Sequence, residues 1–194
     1  MVTQFNPTQL RKEILSKRKN ISTKKRSDAF SSILRTFFEL PEYQNAKSII
    51  AYFGKVQSGE FDTRGLLLKI LKDGKNLYLP RCREGEIALD IYQISDISVD
   101  VEEGAYGIME PKSFCKKQEN DSSDLILVPG SVFDIRGARY GYGAGYYDKF
   151  LENRTIFKIA FALEMAVMKT PIPTHQHDIF MDVIITEKNI YRKS

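Results

Sequence analysis

The chain has few of the residues that build disulfide frameworks and metal sites. Its 194 residues include two cysteines, Cys82 and Cys115, and two histidines, His175 and His177. The cysteines lack the spacing of metal ligands and have no recognisable histidine partner. A disulfide scaffold, a zinc site and a Cys/His nucleophile are therefore disfavoured. We expect inert thiols in the reducing environment of the cytoplasm.

Long apolar runs are also missing. No stretch approaches the roughly 20 apolar residues that a transmembrane helix needs, and residues 1–7 lack the apolar centre of a signal peptide. Hydrophobic residues make up 42% of the chain and charged residues 28%, which are ordinary values for a globular protein. We expect a single domain over residues 1–194 with no membrane partner.

Positive charge is concentrated near the beginning of the chain, whose formal net charge is +4. The basic residues there are Arg11, Lys12, Lys17, Arg18, Lys19, Lys24, Lys25 and Arg26. The pattern favours a solvated pair of helices over a nucleic-acid surface, because no aromatic residues are interleaved with the charges. We therefore expect no nucleic-acid partner. A third interpretation stays open, in which one or two of these cations reach a bound phosphate.

Helical and extended patterns alternate along the chain. Helices are expected at about 8–19, from Ser22 or Thr23 to Pro41, from Asp62 or Thr63 to Gly74, and at about 144–152. Strands are expected at 48–53, 76–80, 87–91, 124–129, 157–163 and 183–186, and residues 94–123 read as irregular. This order predicts a three-layer α/β/α fold with a mostly parallel or mixed central sheet. The helical pair at about 8–40 would pack on it.

A glycine-rich stretch between a buried strand and a helix is the clearest functional signal. Gly141, Gly143 and Gly145 occupy every second position, so their backbone N–H groups could face an anion, with Arg139 just before them. The stretch is not a Walker A motif, since no Lys-Ser or Lys-Thr follows. Its spacing also fails the dinucleotide fingerprint, and no strand is expected to abut the first glycine. On the glycines alone, a tight packing turn is an equal alternative.

Acidic residues near this loop suggest a metal site. Arg139 and Asp148 flank the glycines with opposite charges, which suits a phosphate bridged to Mg²⁺. Asp178, in a proline-flanked loop, could join Asp148 as a ligand. The alternative is that Asp178 only caps a turn.

Three further residues have both a structural and a functional interpretation. Tyr147 is better explained as a core aromatic, whereas Tyr146 is equally suited to stacking on a flat heteroaromatic ligand. Glu60 is either an ordinary carboxylate near a helix start or an acceptor for a ligand rich in N–H groups.

These residues belong to segments that resemble the 5-formyltetrahydrofolate cyclo-ligases, also called methenyltetrahydrofolate synthetases. The matching segments are 59–63, 78–81, 106–111, 128–151, 159–163 and 177–186, in an order that covers nearly the whole chain. The segment 128–151, with its Gly-x-Arg-x-Gly-x-Gly-x-Gly-Tyr-Tyr-Asp string, is long and specific. Each of the shorter segments, taken alone, is weaker evidence for the resemblance.

The resemblance implies an α/β enzyme that uses ATP and Mg²⁺ to convert 5-formyltetrahydrofolate to 5,10-methenyltetrahydrofolate, releasing ADP and phosphate. By motif, Arg139 and Tyr146 would be catalytic, Asp148 and Asp178 would bind Mg²⁺, and Glu60, Tyr142 and Tyr146 would contact the folate. The ATP-binding set would be Arg11, Arg139, Gly141, Tyr142, Gly143, Ala144, Gly145, Tyr146 and Tyr147. A cytoplasmic monomer is expected, with small-molecule partners.

One position departs from the family pattern. Many relatives carry a lysine four residues before the arginine that corresponds to Arg11, and this chain has Pro7 there. Either Lys12 or another early cation substitutes, or the N-terminal phosphate contact is reduced. Two alternative functions are a cyclo-ligase-like protein that binds RNA or nucleotides without folate turnover, and a ligase for another formylated pterin or amide.

Overall fold

The computed structural model describes residues 6–119 and 123–193; the remaining residues of the predicted domain lie outside this range. Within it the helices are α1 (Pro7–Lys19), α2 (Thr23–Glu39), α3 (Pro41–Asn45), α4 (Arg64–Lys72) and α5 (Tyr146–Leu151). The strands are β1 (Ser48–Ile50), β2 (Asn76–Cys82), β3 (Leu89–Ile94), β4 (Val101–Glu103), β5 (Met109–Pro111), β6 (Leu125–Leu127), β7 (Val132–Asp134), β8 (Arg139–Tyr140), β9 (Phe157–Phe161), β10 (Val167–Met168), β11 (Val183–Ile185) and β12 (Ile190–Arg192). None of the described helices combines the length and apolar character required to cross a bilayer.

Seven strands form the central sheet in the order β12-β11-β9-β6-β1-β2-β3. The inner five, from β11 to β2, are parallel to their neighbours, while β12 and β3 pair antiparallel at the two edges. This confirms the predicted α/β fold with a mixed sheet. The carboxyl ends of the parallel strands therefore meet at one edge of the sheet, where α/β proteins commonly bind ligands.

Helices cover both faces of the sheet because successive strand residues point in opposite directions. Ile49 belongs to the core shared with Phe30, Ile33 and Phe37 of α2, whereas Ile50 belongs to the core shared with Phe150 of α5. The buried β6 triplet 125–127 alternates in the same way between the two cores. The result is the expected three-layer arrangement.

A small second sheet carries the glycine loop and was not predicted. Its order is β10-β7-β8, and β8 ends directly before Gly141. The expectation that no strand abuts the first glycine was therefore wrong. The turn between β7 and β8 is organised by buried Asp134, whose carboxylate accepts the N–H groups of Arg136 and Ala138. Such short strands depend on distant partners more than on local pattern.

Other boundaries differ for similar reasons. The region 94–123, expected to be irregular, contains the β4–β5 hairpin. Pro41 ends α2, as expected, but it also begins α3, where its missing N–H costs nothing. The strand expected at 87–91 is β3 at the sheet edge, displaced to Leu89–Ile94. The edge strand β12 was missed because it has only three residues and is mostly exposed.

Phe37 offers a test of how α2 is held to the sheet. Its side chain is fully buried, with ring centroids 4.8 Å from Tyr43 and 5.1 Å from Phe161. We expect Phe37→Ala to lower the free energy of unfolding by about 3–5 kcal/mol, because it removes apolar contacts and leaves a cavity. Urea denaturation would measure the loss. Leu68→Ala, at a position 54% exposed on α4, is the control and should change little; equal effects would contradict this packing.

Candidate active site

Three chain segments meet at the carboxyl edge of the parallel strands. The loop after β1 carries Glu60, the loop after β6 carries Pro129 and Gly130, and the glycine loop follows β8. Thr63 stabilises the first loop by donating to the Tyr52 carbonyl oxygen at 2.8 Å and accepting the Gly54 N–H at 3.0 Å.

The glycines of the loop are required for two different reasons. Gly143 and Gly145 have φ values of 108° and 74°, in the left-handed region that other residues rarely adopt. Gly141 is needed for space, because a Cβ there would lie 2.7 Å from Nη1 of Arg139. The loop therefore keeps an exposed backbone segment directly beside a buried guanidinium group.

Arg139 is only 5% exposed and joins two of the segments. Its Nη1 donates to the Pro129 carbonyl oxygen at 3.1 Å, and its Nη2 donates to Oδ1 of Asp148 at 2.8 Å. The two charges that flank the glycines thus form an ion pair with each other in this structure. Asp148 also accepts the N–H of Ile179 at 3.4 Å, which brings the residue after Asp178 alongside it.

Asp178 caps a turn, as its structural interpretation predicted: its Oδ2 accepts the His175 N–H at 2.7 Å. Asp148 and Asp178 are nevertheless brought to the same corner of the molecule through Ile179. Across residues 6–119 and 123–193, no group of three or more His, Cys, Asp or Glu side chains is arranged to hold a metal ion. Two carboxylates suit Mg²⁺ only if water and ligand oxygens complete its coordination.

Arg11 on α1 approaches the glycine loop from the other side. A Cβ at Gly143 would lie 3.8 Å from its Nη1, and its guanidinium carbon lies 5.8 Å from the centre of the Tyr140 ring. Pro7 is the first residue of α1, and Asn6 caps the helix by accepting the N–H groups of Thr8 and Gln9. Pro7, which stands where the family resemblance predicts a lysine, therefore starts the helix that carries Arg11.

Arg18 is the site residue that the sequence interpretation missed. It was grouped with solvated cations, but it is only 8% exposed. It donates to the carbonyl oxygens of Gly130 at 3.3 Å and Ser58 at 3.4 Å, and to the Tyr142 hydroxyl at 2.9 Å. The spacing of Arg11, buried Ile14 and Arg18 places all three on one helix face, and this was the available signal.

Arg11, Arg18 and Arg139 each have a buried N–H group, at Nε, without a hydrogen-bond partner in the part of the chain that the structure describes. Buried polar groups are normally hydrogen-bonded, so these exceptions require an explanation. Two of the three guanidinium groups, those of Arg11 and Arg139, lie beside Gly143 and Gly141 of the loop and are suited to an anionic ligand such as a phosphate chain.

Glu60 is held from two sides. Its Oε2 accepts the Lys55 N–H at 2.6 Å, and its Oε1 accepts the hydroxyl of Tyr142. Its carboxylate thus serves its own loop and not the start of α4, which begins at Arg64. Each oxygen keeps a further lone pair, so the carboxylate can still accept two parallel N–H bonds from a ligand.

Tyrosine hydroxyls surround this carboxylate and stay protonated. Burial, and then the nearby Glu60 charge, raise the pKa values of Tyr52, Tyr142 and Tyr147. Tyr147 also packs against the core on the α5 side, as expected for a structural aromatic. Tyr146 instead faces Tyr106, with the two hydroxyl oxygens 3.5 Å apart, and this hydrogen bond raises the pKa of Tyr146 to about 12.

A cavity of about 500 Å³ opens beside Tyr146. Its walls include Arg81, Cys82, Arg83, Tyr106, Glu110 and Tyr146. Burial, followed by the Glu110 charge, raises the pKa of Cys82 to about 12, so the thiol is not a nucleophile at neutral pH. The volume is within the range of pockets that bind ligands of drug size.

An α/β fold with an arginine-lined glycine loop beside the Glu60 carboxylate defines a class of protein suited to a phosphate-bearing ligand next to a second, N–H-rich one. Comparison with known sequences makes the class specific. The profile of the 5-formyltetrahydrofolate cyclo-ligase family matches residues 4–187. The chain belongs to this family, whose members use ATP as a co-substrate.

Individual relatives agree with this assignment. A probable 5-formyltetrahydrofolate cyclo-ligase of Schizosaccharomyces pombe is 30% identical over 175 residues, covering 83% of this chain and 85% of the relative. The 5-formyltetrahydrofolate cyclo-ligase of Saccharomyces cerevisiae is 30% identical over 164 residues, covering 73% and 76%. The NMR structure of Aquifex aeolicus 5,10-methenyltetrahydrofolate synthetase matches with a TM-score of 0.84 and 33% identity, covering 96% of this chain and 92% of that one.

The space between Gly141 and Arg139 provides a test of the loop. In Gly141→Ala the new methyl group must displace the Arg139 guanidinium. We expect a folded protein whose apparent affinity for ATP falls about tenfold, the loss of roughly one charge-assisted hydrogen bond. The rise in melting temperature on adding ATP would report it. Gly65→Ala in α4, where a Cβ meets nothing within 4 Å, should respond like the wild type; identical responses of both variants would exclude this role of Gly141.

Proposed function

We propose that this protein is an ATP-dependent ligase that converts 5-formyltetrahydrofolate to 5,10-methenyltetrahydrofolate, with release of ADP and phosphate. The observation that carries the proposal is that one residue joins the arginine-lined glycine loop to the carboxylate of Glu60. Tyr142 lies within the loop, and its hydroxyl contacts Glu60. A site for a phosphate chain and a site for an N–H-rich ring are thereby joined in a chain of the cyclo-ligase family.

On the ATP side, Arg11 and Arg139 hold the phosphates together with the loop from Gly141 through Tyr142, Gly143, Ala144, Gly145 and Tyr146 to Tyr147. Support comes from the buried Nε atoms of both arginines and from the left-handed backbone at Gly143 and Gly145. That backbone lets consecutive N–H groups approach an anion. Tyr147 contributes its N–H to this loop, while its ring packs in the core.

Mg²⁺ is held by Asp148 and Asp178 in this proposal. The donors fit, because Mg²⁺ prefers a few carboxylate oxygens together with phosphate oxygens and water. When bound, the ion neutralises charge on the transferred phosphate. Asp148 already accepts Arg139, so the same carboxylate orients the guanidinium group that faces the phosphates.

On the folate side, Glu60 accepts two N–H groups from the edge of the pterin ring. The Tyr142 hydroxyl and the Lys55 N–H fix its orientation and leave lone pairs for the ligand. Tyr146 lies against the folate, and the cavity of about 500 Å³ beside it accommodates the rest of the molecule.

The reaction needs positioning and charge stabilisation more than proton transfer. The formyl oxygen forms a bond to the γ-phosphorus of ATP as the bond to the ADP oxygen breaks. N10 then forms a bond to the formyl carbon and loses its proton, and the carbon–oxygen bond breaks to release phosphate. Arg139 stabilises the developing phosphate charge. The hydroxyl of Tyr146 stays protonated and can donate to the reacting oxygen.

We further propose that residues 1–194 act as one cyclo-ligase domain, on which the helical pair of about 8–40 is packed, and that it works as a cytoplasmic monomer. The core shared by α2 and the central sheet supports the single domain. Free Cys82 and Cys115 are compatible with a reducing compartment. Since Arg11 and Arg18 turn toward the site, the basic N-terminal region is less suited to binding RNA.

Turnover is the direct test. Purified protein is mixed with 5-formyltetrahydrofolate, Mg²⁺ and ATP, and the methenyl product is followed by its absorbance while ADP is measured separately. We expect product and ADP in equal amounts, and none without ATP. A folded protein that forms no ATP-dependent product would refute the proposal. Salt-dependent RNA binding without turnover would support the binding alternative, and turnover only of other formylated compounds would redefine the substrate.

The metal role of Asp148 can be tested separately. Asp148→Asn keeps the shape of the side chain but removes its charge, so both Mg²⁺ and Arg139 lose a partner. We expect the Mg²⁺ concentration for half-maximal turnover to rise roughly tenfold or more. Asp28→Asn, at an exposed position on α2, is the matched control. A normal Mg²⁺ dependence in Asp148→Asn would remove this residue from the metal site.

A further inference from the structure

The helix α1 carries a buried cation, Arg18, besides the partly buried Arg11. Arg18 is 8% exposed and carries a charge that no carboxylate neutralises directly in its described contacts. Burying a guanidinium group is costly unless its N–H groups find acceptors. Its acceptors are the Gly130 and Ser58 carbonyl oxygens and the Tyr142 hydroxyl, which come from three different segments of the site.

The contact with Tyr142 is directional. Arg18 has only donors, so the Tyr142 oxygen must accept from it and direct its own proton elsewhere. That proton points to Oε1 of Glu60, so the order of donation is Arg18 to Tyr142 to Glu60. A charged donor at one end of such a chain strengthens the next hydrogen bond.

Arg18 therefore restricts what the Tyr142 side chain can do. Tyr142 as a whole residue is 47% exposed and lies in a loop of glycines, so packing holds little of it besides the hydroxyl end, where burial raises the pKa of the hydroxyl. The guanidinium carbon of Arg18 also lies 5.7 Å from the centre of its ring. Hydrogen bonding and ring contact together hold the hydroxyl beside Glu60.

The helix adds a connection between the two ends of the site. Arg11 and Arg18 are separated by about two helical turns on the same face of α1. Arg11 lies beside Gly143, and Arg18 contacts the hydroxyl of the preceding residue in the loop. One rigid helix thus touches the glycine loop at adjacent residues, one facing the phosphates and one facing Glu60.

We propose that Arg18 is a positioning residue for folate binding: it holds the Tyr142 hydroxyl so that Glu60 presents its two remaining lone pairs to the pterin edge. Arg18 acts through Tyr142 and not on the substrate directly, because its Nη1 and Nη2 groups already donate to Gly130, Ser58 and Tyr142. This role rests on the proposed function, since it assumes that Glu60 receives the pterin.

A double-mutant cycle tests whether Arg18 acts through the Tyr142 hydroxyl. Arg18→Met keeps much of the side-chain volume and removes the donors, and Tyr142→Phe removes only the hydroxyl. Each is expected to raise the KM for 5-formyltetrahydrofolate about tenfold, the loss of one charge-assisted hydrogen bond, with a much smaller change in the KM for ATP. Because both act through the same hydrogen bond, the double variant should be no worse than the more impaired single variant.

The control is Lys17→Met, which removes an exposed cation from the neighbouring position on α1. It should leave both KM values and the melting temperature unchanged. Arg18→Lys retains the charge but replaces the planar fork with a single ammonium group, so it should restore little of the folate affinity. If Arg18→Met does not fold, Arg18→Lys combined with Tyr142→Phe completes the cycle.

Specific outcomes overturn the proposal. Independent effects that multiply in the double variant would show that Arg18 does not act through Tyr142. Equal rises in the KM values for folate and ATP would indicate a general structural role. Calorimetry with 5-formyltetrahydrofolate and the wild type distinguishes failure of the proposed function from failure of the role of Arg18. If the protein binds this folate without turnover, the proposed function is refuted, and the double-mutant cycle can still be measured as changes in Kd. If the protein does not bind this folate, both the proposed function and the role of Arg18 are refuted.

Discussion

Burial of guanidinium charge against backbone carbonyl oxygens is the constraint on which this site depends. Arg139 donates to the carbonyl of Pro129 and Arg18 to that of Gly130, so two cations meet neighbouring residues of the loop after β6. Their positions are set by distant parts of the chain: Arg18 comes from the N-terminal helix and Arg139 from β8. The shared loop brings both toward the glycine stretch, and the remaining donors of each guanidinium group select its other partners.

From this arrangement the two halves of the site follow. Arg139 donates to the carboxylate of Asp148, and Asp148 also accepts the N–H of Ile179. These contacts connect the glycine loop to the segment around Asp178. Arg18 donates to the Tyr142 hydroxyl, which in turn donates to Glu60 and so connects the same loop to that carboxylate. The loop therefore has a different chemical neighbour on each side: one suited to phosphate and metal, the other to an N–H-rich ring.

The central sheet makes this meeting possible. Its parallel strands end at one edge, so loops far apart in the chain emerge close together. The antiparallel edge strands β3 and β12 begin at this edge, because each follows directly from the carboxyl end of its parallel neighbour, β2 or β11. The small sheet of β7, β8 and β10 then holds Arg139 in place. Packing by Ile14 of α1 against Tyr140 of that sheet sets the approach of the N-terminal helix.

The sequence by itself determined the alternating α/β pattern, the main helices and the residue types at the glycine loop, because these depend on local periodicity and on backbone freedom. It also singled out Glu60, Arg139, Asp148 and Asp178, since their chemistry is unusual for their local surroundings. Only the tertiary structure decided what each side chain meets. It paired Arg139 with Asp148, buried Arg18, and formed strands as short as β8, because burial and long-range hydrogen bonds depend on segments that are distant in the chain.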